Sequence, residues 1–566
     1  MDRRKFLKLS GAMGTVGALT IFSSFSDGNE PVSMRKGDSV SRNRTTSEGV
    51  PTQTPEQMQT SYRAEIEFDR VLDAVDDIGM DDSGEIPIDE ALAANLEDGT
   101  LIEFPPGEYL TKTIHSVENL KRWGIRGRSS DRTDVRIRPQ EEAGHHFINI
   151  RSGRDVLVEN LTFDVRQGRH EWLTNTFKLA GGLRLNNVEY AGFYASDVTA
   201  RQAQPATSVQ GPLHVHVTDP DGVSIIDSLV RSGPTHHAEY PGGHSCIFVG
   251  PAETVGTLYI RNSHIENMSS HGIYASRTRG NIRIENTTFK NNNGAGVRIS
   301  GTGSYIRDSE IILDRSEVIE GTLGNVFTSV SSGMWFESGF RTQAGGMMDR
   351  CQVTLRDVPD LTRAIEVDGS AGQTTISNTD IYVGSGNVRP VDINKPGRSG
   401  SRVRTRGRVP DNPRVDILNV RITGQSSGRE AVIDVSDRES VLIANSRIDF
   451  QGDRDGITFE NAAGYVVDGT TVNLESAGTG IIAIDSPNGI INDTDISVVA
   501  TPIRISMSDS PNTCSVQIAP NVTLESEQGV EPTLPASCSG QNWNGSSGTG
   551  DTEETPQSLV NWFARW

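Results

Sequence analysis

The sequence predicts an all-β protein built as a solenoid of about 12 stacked coils. Three observations carry this prediction: a turn signature that recurs at a near-constant period, a composition rich in Gly, Asn, Ser, Thr and Asp with only 6% aromatics, and no long amphipathic helical pattern. Short strands joined by tight turns satisfy all three.

The signature reads apolar, any, Asn or Asp, two variable residues, apolar. It is anchored at Val158, Leu185, Ile225, Ile260, Ile284, Ile306, Ile376, Ile417, Ile443, Val467 and Ile491, with a weaker copy at Met348. The period is 22 to 28 residues, lengthened by insertions. Two positions after the anchor stand seven Asn, three Asp and one Gly. Asn suits that place because it tolerates the left-handed backbone region and its amide can bond the same residue of the next coil. A second motif, apolar-x-apolar and often led by Gly, follows most anchors, as in "GIYA" at Ile273, "GVRI" at Val297 and "GMWF" at Met334. Alternation within each strand turns the anchors inward and the intervening residues outward. Coils that repeat in this way stack as a solenoid.

The first 26 residues, "MDRRKFLKLSGAMGTVGALTIFSSFS", join the paired Arg3 and Arg4 to an apolar run from Leu9 to Phe22 and read as a twin-arginine export signal cleaved after Ser26. The expected route is through the twin-arginine translocase to the cell surface or the medium, leaving no membrane span in the mature chain. Residues 27–62 read as a flexible polar linker, 63–538 as the solenoid with its cap, and 539–566 as a flexible tail with an apolar terminus, "LVNWFARW", expected to dock back.

The full chain carries 53 basic and 74 acidic residues, a net charge of −21. Removal of the signal makes the balance more negative still, which argues against nucleic acid or an anionic membrane as partner. Only eight of the basic residues are Lys, a bias that together with the acidity suggests adaptation to high salt. Of the four cysteines, Cys514 and Cys538 are placed to form one disulfide in an oxidising compartment, and Cys246 and Cys351 fit buried strand positions. No spacing resembles a zinc site.

These repeats resemble the right-handed parallel β-helix of the pectin-lyase-like superfamily. "DGTLIEFPPGEYL", from Asp98 to Leu110, is similar to that superfamily's first coil. "FDRVLDAVDDIG" and "PIDEALAANL" before it are expected to form an N-terminal helical cap. The resemblance runs from about Phe68 to Cys514 and implies the fold only, because enzymes and inert adhesins share it.

Seven of the eleven histidines fall between His214 and His271. In the second strand of successive coils the outward residues are expected to be His216, Phe248, Tyr274, Arg298, Trp335 and Glu366, a ladder along which a linear glycan can lie. The rings supply stacking faces and Arg298 a partner for a carboxylate.

The order of motifs in this stretch resembles that of the polygalacturonases. "DPDGV" keeps Asp221 of their Asn-Thr-Asp-Gly segment, "SHG" keeps His271 of their Gly-His-Gly, and "RIS" keeps Arg298 of their Arg-Ile-Lys. In "HSCIF", however, His244 and Ser245 stand in place of two carboxylates, and Ser300 replaces the lysine. Inverting hydrolysis needs a protonated carboxyl and a second carboxylate, so that family's mechanism is not expected.

Lyase chemistry on a uronate polymer would use His271 or His244 as base, Arg298 as the stabilising cation and Tyr274 as proton donor. Glu239, Glu266 and Asp219 are spare carboxylates able to replace a missing acid or to take up calcium, and no other cofactor is implied. The sequence thus leaves two readings. One is a secreted lyase or hydrolase of an acidic polysaccharide; the other is a non-catalytic surface protein that binds glycans or cell-envelope partners. His271, in the turn before its strand, is not oriented by alternation.

Overall fold

The computed structural model describes residues 66–535 apart from 141–143, 167–171, 193–210, 234–244, 251–252, 269, 302, 318–331, 339–344, 385, 398–412 and 509–514. The expected signal, linker and tail lie outside the described residues, as do Cys514 and Cys538. The described chain winds as a right-handed parallel β-helix with a 29-stranded sheet and a 14-stranded sheet.

Each typical coil contributes two short strands to the first sheet and one to the second. Thr257–Arg261, His264–Glu266 and His271–Ala275 make one such coil, and each pairs in parallel with its counterpart one coil later. The bend between the first two strands is the Asn/Asp slot of the signature. Asn160, Asn187, Asn262, Asn286, Asp308, Asn378, Asn419, Asn445, Gly469 and Asp493 all have positive φ there. Their side chains also link coils, Asn286 Nδ2 donating to Asn262 Oδ1 at 2.8 Å and Asn419 Nδ2 to Asn378 Oδ1 at 2.7 Å.

One anchor is displaced. Ile226, not Ile225, is fully buried and pairs with Leu185, and Ser228 takes the positive φ of 55°. The two neighbouring isoleucines made the inward one ambiguous in sequence.

The second sheet has 14 strands, two more than the expected coil count. The twelve anchors account for strands three to fourteen. The first two coils lack an Asn or Asp slot; in the second, Gly127 occupies it after Ile125.

The cap is less helical than expected. "PIDEALAANL" yields one five-residue helix, Asp89–Ala93. "FDRVLDAVDDIG" instead supplies the strand Arg70–Asp73, which pairs with Thr100 to Glu103 and extends the first sheet. Asp73 ends it by accepting the backbone N–H groups of Val75 and Asp76 at 2.7 Å each.

The interior is a continuous column of Ile, Val, Leu and Phe. Cys246 and Cys351 are buried free thiols, as expected, and burial pushes both up to about 12. Among the described residues no helix is long and apolar enough to cross a membrane.

Candidate functional site

One outward position of the second sheet recurs in coil after coil, and register fixes the order of its residues. His214 pairs with Phe248, Phe248 with Tyr274, Tyr274 with Arg298, Arg298 with Trp335, Trp335 with Glu366, Glu366 with Asp392 and Asp392 with Asp434. The rings touch along it: Phe248 lies 5.4 Å from His214 and 5.6 Å from Tyr274 by centroid. Five of the six expected ladder residues are therefore in place. The sixth is a correction, since His214 rather than His216 holds that rung. His216 sits two residues on, with Nδ1 3.3 Å from Glu253 and Lys178 on the other Glu253 oxygen at 3.0 Å. Burial lowers the affinity of His216 for a proton, partly offset by Glu253. The insertion at 193–210 hid this offset, because it removed the spacing that aligns the other coils.

Glycine explains the direction of His271. Strict alternation from the inward Ile273 would also send His271 inward. A Cβ at Gly272, however, would sit 2.8 Å from the Phe289 ring and 2.5 Å from the Gly296 carbonyl oxygen, so Gly272 faces the core as well. Two consecutive inward residues turn His271 outward, at the start of the strand His271–Ala275. Gly296 and Gly333 repeat the arrangement in the next two coils. The Gly that leads the second motif is thus a packing requirement of the core.

His271 is nonetheless covered, at 2% exposure. Arg298 Nη1 donates to its Nε2 at 3.2 Å, so the ring proton resides on Nδ1. Burial, with the charges of Arg298 and Arg277, holds the imidazole neutral, well below the usual histidine range. The Arg298 guanidinium lies between two rings, 3.9 Å from the Trp335 centroid and 4.5 Å from that of Tyr274. Its Nε donates to Glu337 Oε2 at 2.7 Å, Nη2 forms an ion pair with the same oxygen at 2.5 Å, and Ser276 Oγ donates to it at 2.7 Å. Glu337 has no solvent-exposed side-chain surface. Sequence reasoning missed it, because it follows the strand Ser332–Phe336 where no repeat constrains the residue.

The other end of the ladder is acidic. Glu366 accepts from Ser332 Oγ on Oε2 at 2.9 Å, and Arg363 approaches the same oxygen at 3.8 Å. Burial lifts Glu366 to about 7 against the pull of Arg363 and Ser332. Asp392 is gripped on Oδ2 by Arg363 Nε and by Arg389 Nη1, the latter at 3.1 Å, while Arg389 Nη2 reaches Glu430 at 2.8 Å. Burial and then Asp392 lift Asp434 to about 6. Asp392 and Asp434 escaped the sequence reading, although "VDI" at Val391 and "IDV" at Ile433 are ungapped copies of the second motif without its leading Gly.

The remaining expected residues lie elsewhere. Asp221 is exposed in the turn that follows the strand Leu213–Val217, at the opposite strand end from the rung that begins with His271. Asp219 accepts the Asp221 backbone N–H in that same turn at 3.0 Å. His244 and Glu239 lie outside the described residues. Glu266 is on the first sheet, 3.0 Å from His264 Nε2. Among the described residues no three His, Cys, Asp or Glu side chains are close enough to hold a metal ion.

Residues 245–394 match the right handed beta helix region family. No curated protein matches the chain by sequence. Among solved structures, the catalytic unit of a thermostable GH87 alpha-1,3-glucanase from Streptomyces thermodiastaticus is similar at 12% identity, over 84% of this chain and 71% of that one, with a TM-score of 0.36. The A-module of a mannuronan C-5 epimerase from Azotobacter vinelandii is similar at 12% identity over 82% and 98% of the two chains, with a TM-score of 0.32. A surface adhesin of Streptococcus pneumoniae is similar at 13% identity over 73% and 93%, also with a TM-score of 0.32.

Proposed function

We propose that the protein is a carbohydrate-active β-helix protein that lays a linear glycan along the outer face of its second sheet. One observation carries the reading: the register-locked outward ladder from His214 to Asp434, aromatic in its first half and carboxylate-rich in its second. Aromatic faces stack on sugar rings, and carboxylates accept hydrogen bonds from hydroxyls. Phe248, Tyr274, Trp335 and Glu366 are its proposed contacts.

The lyase chemistry expected of an acidic polymer fits this face less well than binding or hydrolysis. Arg298 would have to neutralise a substrate carboxylate, and Glu337 already takes that charge at 2.5 Å. The burial of His271 favours, as a second reading, glycan binding without catalysis at that end of the ladder. Export by the twin-arginine route to the surface or medium completes the proposal, supported by the basic start and apolar run of residues 1–26.

Affinity electrophoresis of residues 27–566 in gels containing individual polysaccharides tests the reading. Retardation by at least one glycan, weakened tenfold or more by Trp335→Ala, is expected. Migration unchanged by every neutral and acidic glycan would overturn it.

A further inference from the structure

We infer that Glu366 and Asp434 form an acid and base pair for hydrolysis of a neutral glycan, with Asp392 as the fixed charge between them. The inference rests on the proposed glycan-binding ladder and assigns its chemistry to coils beyond the stretch of polygalacturonase-like motifs.

The geometry carries it. The three carboxyls occupy one column on consecutive rungs. Two rungs separate Glu366 from Asp434, about 9.5 Å between backbones, at the upper end of the range of about 6.5–9.5 Å in which one carboxyl protonates a leaving oxygen while the other activates water. The middle member is already engaged: Arg363 and Arg389 both bind Asp392 Oδ2. The outer two are free to react. Glu366 uses only Oε2, for Ser332 and Arg363, and keeps Oε1 without a hydrogen-bond partner among the described residues, although its side chain is nine-tenths buried. The Asp434 carboxyl makes no hydrogen bond or ion pair among the described residues, although its backbone is paired on both sides. Two further buried atoms beside the column, Arg389 Nε and Glu430 Oε2, also lack partners. Trp335 Nε1, on the next rung, is a third. Unsatisfied donors and acceptors gathered around one column are what a hydroxyl-rich ligand would satisfy.

The proton states agree. Glu366 is faced by Ser332, Arg363, Asp392 and Asp368, and its pKa of about 7 keeps it protonated in mildly acidic medium. Asp434 is faced by Asp392, Arg389, Glu430 and Glu460, and its pKa of about 6 leaves it charged above that pH. In the reaction, Glu366 gives its proton to the glycosidic oxygen as the bond from that oxygen to the anomeric carbon breaks. Water adds to the anomeric carbon from the other side and passes a proton to Asp434. The products are two sugar chains that together have gained one water, and the net transfer of a proton from Glu366 to Asp434 is reversed through solvent.

The substrate class follows from charge. Glu366, Asp368, Asp392, Glu430, Asp434 and Glu460 surround two arginines, and both arginines are engaged with carboxylates. A uronate polymer would meet uncompensated negative charge here, whereas a neutral glycan would not.

The test uses residues 27–566 in high salt with laminarin, dextran, an α-1,3-glucan, xylan and mannan, beside polygalacturonate and alginate. Binding is followed by affinity electrophoresis and cleavage by new reducing ends. Cleavage of a neutral glycan is expected, with a bell-shaped pH profile whose limbs fall near 6 and 7 and with an inverted anomer seen by NMR. Glu366→Gln and Asp434→Asn should each lose at least a hundredfold in rate and still be retarded by the glycan, more weakly than the parent. Binding without cleavage by the parent would overturn this inference and leave the binding reading standing; no binding to any glycan would overturn both. Cleavage surviving both substitutions would overturn the pair, and cleavage of uronate polymers alone would overturn the substrate class.

Discussion

Arg298 and Glu337, 39 positions apart, meet at 2.7 and 2.5 Å with both guanidinium contacts on a single carboxylate oxygen, and neither side chain is more than 3% exposed. The arrangement makes Arg298 a structural cation held between the rings of Trp335 and Tyr274. Removal of one partner strands a buried charge, at a cost of about 3–5 kcal/mol. Glu337→Ala should therefore lower the midpoint of urea unfolding by that equivalent, and the double variant with Arg298→Met should recover much of it. A single substitution that leaves the midpoint unmoved would show the pair to be dispensable.

The bend residues make a second prediction. Asn286 stands at φ 46° and donates to Asn262 at 2.8 Å. Alanine there takes on the left-handed penalty of about 1–2 kcal/mol and loses the bond. Glycine escapes the first cost. Urea midpoints should rank Asn above Gly above Ala at this position.

Glu366 makes stability depend on pH in an unusual direction. Its folded pKa of about 7 lies above the ordinary carboxyl value of 4.5. The stability it contributes when protonated is present below about 4.5 and is lost as pH rises through 7, to a limit of about 3 kcal/mol. Glu366→Gln cannot ionise. Melting temperatures should therefore show the variant gaining on the parent at pH 8 and matching it at pH 4.

Asp89 behaves in the opposite sense at the other end of the molecule. Burial penalises its charge, but bonds from the His115 ring, the Thr113 hydroxyl and the Lys112 and Thr113 backbone amides outweigh that and hold its carboxyl well below the usual range. That contribution is present above about pH 4 and lost as pH falls further. Asp89→Asn should remove part of the acid sensitivity of the N-terminal coils. Hydrogen exchange of the strand His115–Val117 at pH 3 and pH 6 reads this locally.

The solenoid was legible because its coils repeat a backbone demand. Only Asn, Asp or Gly meets a positive φ cheaply, so the slot shows through sequence divergence. Ser228 and Arg350 meet the same demand without being Asn, Asp or Gly, and Gly127 has no positive φ to meet, so the slot is obscured in those coils. The ladder was legible wherever the second motif is intact: Phe248, Tyr274, Arg298, Trp335 and Glu366 follow from alternation within it. It failed at His214, which an insertion displaced from the expected spacing. Glu337 and the arginine clamp on Asp392 were invisible for another reason. Arg298 with Glu337 and Arg363 with Asp392 are relations between side chains on different coils, set by stacking, and no local pattern encodes them; Arg389 joins Asp392 from three residues away on the same strand. His271 could be oriented only once Gly272 was seen to face Phe289.

The last regular coils begin at Ile443, Val467 and Ile491, two successive steps of 24 residues, and their strands pair in parallel with the coil above and the coil below. A whole turn can therefore be copied or excised without changing what any remaining turn touches. The chain can lengthen by tandem duplication as a ruler gains divisions, each adding about 4.8 Å. Variation in length among descendants of such a gene should come in whole turns, with the number of surface positions in the column growing in step.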